Sequence, residues 1–121
     1  MRVLVTGGRD FDNESLLEAA LDKLHEVYKF DVLIHGNAKG ADFLADFWAK
    51  SNDINVISCP ADWETYGYAA GTVRNKKMLV EHKPELVIAF SGGKGTANMV
   101  SIAEKAGVKI IKINEEKLFL N

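Results

Sequence analysis

Five short apolar runs alternate along the chain with longer segments whose apolar positions recur every three or four residues. Arg2-Val3-Leu4-Val5-Thr6 is the first run and ends at Gly7-Gly8-Arg9-Asp10. From Asn13 the period changes, and Leu16, Leu17, Ala20, Leu21, Leu24 and Val27 fall on one helical face. Asp12 reads as the N-cap of that helix, with Phe11 and Leu16 as a hydrophobic staple around it. A second strand runs from Asp31 to His35, and Lys39-Gly40-Ala41-Asp42 opens a second helix that turns Leu44, Ala45, Phe47 and Trp48 inward. The third strand, Asn55 to Cys59, is closed by Pro60, which cannot donate to a ladder. Ala61 to Tyr68 shows no period. A third helix spans Ala69 to Glu81, and Pro84 marks its end. The fourth strand covers Glu85 to Phe90, and the fourth helix covers Thr96 to Ala106 with Met99, Val100 and Ala103 on one face. Gly107 follows at a left-handed position, and Val108 to Ile113 forms an edge strand marked by its lysines. The tail from Glu115 is expected to add a short turn or helix.

Strand–helix alternation with continuous apolar runs in the central strands predicts an α/β fold with a five-stranded parallel sheet and helices on both faces. Right-handed crossovers allow few strand orders, of which 3-2-1-4-5 is expected. In that order the connections diverge between strands one and four. Ligands of open parallel sheets bind at such a point, outside the carboxyl ends of the strands.

At 121 residues the chain has the length of one domain, taken as residues 1–121. It is 47% apolar and 26% charged with a net charge of -2, which is ordinary globular composition. A nucleic-acid partner is disfavoured because the general basic footprint is missing, although a local strip stays open. The single cysteine, Cys59, precludes an internal disulfide, suits a reducing compartment and reads as a small buried hydrophobe. Nothing in the sequence resembles a secretion signal or a membrane span, so a soluble cytoplasmic protein is expected. Phe43, Phe47 and Trp48 give the second helix more aromatic surface than one sheet face needs, which suggests a homodimer or higher homo-oligomer.

The densest candidate chemistry is Ser91-Gly92-Gly93-Lys94-Gly95-Thr96. A strand, a glycine turn and a helix start aim backbone N–H groups at an anion, and Thr96 can cap the helix or donate to a phosphate. The spacing is neither Walker A nor G-x-G-x-x-G, and the glycines could equally serve the turn alone. Gly7 and Gly8 belong to a second glycine turn expected in the same crevice, where Arg9 reaches an anion or stays a solvated loop residue. A third turn, beginning His35-Gly36, carries Lys39 as a charge and Asp42 as either a ribose contact or a helix cap. His35 is as readily structural as ligand-binding. Arg74 points across the strand ends at the ligand or makes a surface salt bridge. Trp63, Tyr66 and Tyr68 stack on a base, form a subunit contact or cover the core. No second histidine is placed near His35, so neither a metal nor a cofactor is implied. Serine-elbow and Cys–His arrangements are missing, and the mutual distances of Asp10, Asp42, Asp62 and Glu64 are not given by the sequence.

Taken together, five blocks in order resemble one family: residues 5–11 (VTGGRDF), 35–42 (HGNAKGAD), 60–63 (PADW), 70–78 (AGTVRNKKM) and 91–97 (SGGKGTA). They are similar to the YspA-like, cpYpsA-related branch of the SLOG superfamily of Rossmann-like three-layer sandwiches. That resemblance implies a nucleotide or nucleotide-derived ligand, held by the turns named above and sensed or sequestered. Members are often linked to bacterial and phage conflict systems. The related LOG enzymes release a base from nucleoside monophosphates and carry a Pro-Gly-Gly-x-Gly-Thr-x-x-Glu motif. Here Ser91 stands in place of the proline and Met99 in place of the catalytic glutamate. Arg74, with Met78 four residues on, is similar to their arginine segment. General acid–base help contributes about 10²–10⁴-fold, so losing that carboxylate favours binding over N-glycosidase chemistry. A hydrolase would need Arg74 with Asp42 or Asp62. A third alternative is single-stranded DNA handling as in the DprA relatives, which the acidic balance disfavours.

Overall fold

The structure, a computed structural model, describes residues 1–114; the turn or helix expected from Glu115 lies outside the described residues. In chain order the elements are β1 (Arg2–Thr6), α1 (Glu14–Tyr28), β2 (Val32–His35), α2 (Ala41–Ser51) and β3 (Asn55–Ser58). They continue with α3 (Trp63–Tyr66), a 3₁₀ turn (Gly67–Ala69), α4 (Ala70–His82), β4 (Leu86–Ala89), α5 (Lys94–Lys105) and β5 (Lys109–Lys112). The five strands pair in parallel in the order β3-β2-β1-β4-β5, as the alternation predicts.

Successive side chains of a strand point to opposite faces, so the continuous apolar runs of β1, β2 and β4 fill two cores at once. Val3, Val5, Leu33, Leu86 and Ile88 pack with Leu17 and Leu21 of α1 and Ala45 and Trp48 of α2. Leu4, Ile34 and Val87 face the other way, against Met78 of α4 and Met99 and Ala103 of α5. The edge strands need less covering: Asn55, Ser58, Lys109 and Lys112 are exposed at their ends.

Local chemistry shifts several boundaries. The N-cap of α1 is Asn13, not Asp12; its side chain accepts from the Leu16 N–H at 3.1 Å. The cap position therefore moves one residue, which removes the Phe11–Leu16 staple, and Phe11 lies against Phe90 with ring centroids 5.2 Å apart. Val27 and Phe47 are 66% and 61% exposed rather than inward, because the sheet reaches only the central stripe of each helix. Val100 and Cys59 are half-buried. α5 starts at Lys94 with Gly93 as an N-cap that supplies no side-chain bond, so Thr96 sits inside the first turn instead of capping it. The aperiodic stretch after Pro60 holds a single helical turn, α3, capped by Asp62 accepting from the Thr65 N–H at 3.1 Å. One turn is too short to show a period. Gly107 takes the left-handed conformation at φ 76. Among the described residues no helix is long and apolar enough to cross a membrane.

Candidate functional site

β1 and β4 end side by side, with Thr6 in register with Ala89. Beyond them the chain diverges, to α1 on one face and α5 on the other. The two glycine turns meet at this point. Gly8 N–H donates to Ser91 O at 2.9 Å, while Gly8 O accepts from Phe11 N–H and Ala41 N–H, each at 3.2 Å. A Cβ on Gly7 would lie 2.5 Å from the Ala41 Cβ, and one on Gly92 would strike Thr96 Oγ1 and stand 2.6 Å from Gly8 N. Close packing of the turns against each other leaves an open cavity of about 620 Å³ above them. Gly7, Gly8, Arg9, Gly36, Asp42, Arg74 and the whole Ser91–Thr96 turn line it.

Gly93 and Gly95 differ from Gly92. A Cβ on either meets nothing within 4 Å, and neither has a positive φ. Packing does not require glycine at these two positions, which border the cavity at the start of α5. The first-turn N–H groups of a helix have no intrahelical acceptor, and the helix dipole adds partial positive charge there.

Two guanidinium groups border the same space. Arg74 leans from α4 over the strand ends: Nη1 donates to the carbonyls of Gly36 and, at 3.4 Å, Cys59, and Nε donates to Asn75 Oδ1 at 3.1 Å. It makes no ion pair among the described residues, so the surface salt-bridge alternative falls away. Burial pulls its pKa down; nearby Asp42 opposes that and Arg9 adds to it. Arg9 is exposed and lies over the Trp63 ring, 5.5 Å from the centroid. Arg9 and Arg74 disfavour one another's charge, Asp42 offsets this in part at Arg74, and an anion between the two guanidinium groups would relieve it further.

The remaining candidates divide. Asp42 lines the cavity, yet its Oδ2 accepts from Gly36 N–H (3.1 Å) and Ala38 N–H (3.2 Å), so it organises the β2–α2 turn rather than capping α2. Burial pushes its pKa up, against the pull of the Ala38 bond, His35 and Arg74. His35 is structural: Nδ1 accepts from Asn37 N–H at 2.9 Å, which leaves Nε2–H to donate to Asp46 Oδ1 at 2.7 Å. Lys39 is exposed and outside the cavity lining. Asp62 is also outside it, committed to its cap. Trp63 borders an adjoining space with Arg9, Gly71, Arg74 and Gly95.

Asn75 was not singled out by the sequence, and it is the polar residue that ties the site together. Only 3% exposed, it accepts from Arg74 Nε and donates to Gly95 O at 3.1 Å and Asn98 Oδ1 at 3.0 Å. Its signal was an amide three residues before the buried Met78, on the inward face of a helix. Lys94 and Asp10 also line the cavity.

A family model described as the YspA, cpYpsA-related SLOG family matches residues 1–66. The chain is similar to the Gene 61 protein of Mycobacterium phage D29, with 37% identity over 123 residues, 95% of this chain and 98% of that protein.

Proposed function

The chain belongs to the YspA, cpYpsA-related SLOG family, and from that premise we propose that it binds a nucleotide or nucleotide-derived metabolite in the β1/β4 crevice, as a sensor or sequestering module. One observation carries the proposal: Arg9, Arg74 and the uncapped start of α5 border a single cavity, beside glycines whose missing side chains leave it open. The ligand's phosphate lies against the first-turn N–H groups of α5, with Gly92, Gly93, Gly95 and Thr96 around it and Ser91 at the rim. Gly7 and Gly8 form the opposite wall, and the two guanidinium groups supply charge. Helix N-termini hold phosphate in this way through oriented N–H groups.

Binding is favoured over hydrolysis. Met99 is fully buried between α5 and the sheet. Asp42 is engaged by two backbone N–H groups, and Asp62 stands outside the cavity. None of the three offers a free carboxylate to a ribose, and the remaining carboxylate of the lining, Asp10, is exposed on the loop after β1. The test is calorimetric titration with nucleoside 5′-monophosphates, followed by chromatography of each mixture for free base. Saturable binding with intact nucleotide is expected, and Gly95→Ala should abolish it by placing a methyl group in the cradle. Release of base that disappears in Arg74→Ala would replace the proposal with an N-glycosidase. Binding unchanged in Gly95→Ala would move the ligand elsewhere.

A further inference from the structure

Next to the phosphate cradle lies a second space of about 530 Å³, bordered by Arg9, Trp63, Gly71, Arg74 and Gly95. Arg9, Arg74 and Gly95 line both spaces, so the two adjoin. Trp63 is held by the single turn of α3 with its side chain half exposed. The Arg9 guanidinium lies over this ring, 5.5 Å from its centroid, so that face of the indole is turned toward the space and not toward the core.

Gly71 supplies an independent observation. It lies in α4 without a positive φ, and a Cβ there would meet only Trp63, at 3.9 Å, an ordinary contact. Glycine inside a helix is unfavourable relative to alanine, and here neither packing nor backbone conformation demands it. Seven of the ten glycines have such a reason, either a positive φ or an atom within about 3 Å of the missing Cβ. The three without one are Gly71, Gly93 and Gly95, and all three border these two spaces.

Resting on the phosphate site proposed above, we infer that the Trp63 compartment is a base subsite and that Gly71 is the specificity-determining residue that keeps it open. A planar heteroaromatic base stacks on the Trp63 face that Arg9 now covers, and Arg9 is left beside the phosphate. The ligand therefore carries an aromatic base as well as a phosphate. Sugar phosphates and inorganic phosphate fill only the cradle.

The experiment measures binding of inorganic phosphate, ribose 5-phosphate and the adenosine, guanosine, cytidine and uridine 5′-monophosphates to the native protein and to Gly71→Ala and Gly71→Leu. Stacking of a base on an aromatic side chain makes at least one monophosphate bind about tenfold or more tighter than ribose 5-phosphate. Gly71→Leu should bring that ratio close to one while leaving ribose 5-phosphate affinity unchanged. Gly71→Ala should lower the ratio in part and raise the melting temperature, which separates a filled subsite from a misfolded protein. The bound base should also quench Trp63, distinguishable from Trp48 because that ring is 4% exposed against 49% for Trp63. Equal affinities for ribose 5-phosphate and every monophosphate would overturn the base subsite and leave the phosphate site standing. A parallel loss of both ligands in Gly71→Leu would overturn it too. No binding of any of the six compounds would overturn both.

Discussion

Neighbouring glycines of one turn do different work, and their substitutions should separate stability from binding. Gly92→Ala forces a methyl group into Thr96 Oγ1 and the backbone of Gly8, so it should cost about 1–3 kcal/mol in urea denaturation. Gly95→Ala meets nothing within 4 Å and removes a helix-disfavouring glycine, so it should stabilise by up to about 1 kcal/mol while it abolishes ligand binding. The sequence shows three glycines within four positions but not which of them the fold needs. That depends on what lies across the crevice from each. Asp42 makes a second residue-scale prediction. Burial raises its pKa, so the folded chain holds a proton that the unfolded chain releases between the ordinary value near 4 and the raised one. Its stabilising contribution is present below that window and falls as pH rises through it. Asp42→Asn keeps an acceptor for the Gly36 and Ala38 N–H groups and cannot ionise. Relative to the native chain it should therefore gain stability from pH 4 to pH 7, as read by urea denaturation at the two values.

At the level of elements, Asn75 joins α4 to the start of α5 and steadies Arg74 at the same time. Asn75→Ala leaves the Gly95 carbonyl and Arg74 Nε without these partners, at a cost of about 1–3 kcal/mol. Phosphate affinity should fall with it, because both the α5 turn and the guanidinium lose their support; denaturation and calorimetry on the same variant check the pair of effects. Most elements were legible beforehand, since apolar period alone separates the strands from α1, α2, α4 and α5. The misplacements have local causes. Asn13 rather than Asp12 caps α1 because two adjacent residues are equally good caps and only backbone geometry chooses between them. α3 leaves no mark in the apolar pattern because a single turn carries no repeat, although Asp62 and Thr65 hold the signature of a capped turn.

For the whole molecule, a ligand that binds only the folded state raises its stability by mass action. At a hundred times the dissociation constant the gain is about 2.7 kcal/mol, and the melting temperature should climb with nucleotide concentration in the native protein but not in Gly95→Ala. The strand order makes this site, because it puts the ends of β1 and β4 side by side and sends their helices to opposite faces. Apolar runs in every central strand demand cover on both sides, and right-handed crossovers then leave few orders, so architecture and crevice follow from hydrophobic pattern and chain handedness. Which side chains meet in that crevice is a different kind of fact. Arg74 crossing to the Gly36 and Cys59 carbonyls, Asp42 turned to its own loop and Trp63 walling a separate space all involve partners distant in sequence or a short-range geometry without period. Pattern along the chain records how much of each residue must be buried. It carries no record of which distant residue buries it, and only the packed tertiary structure decides that.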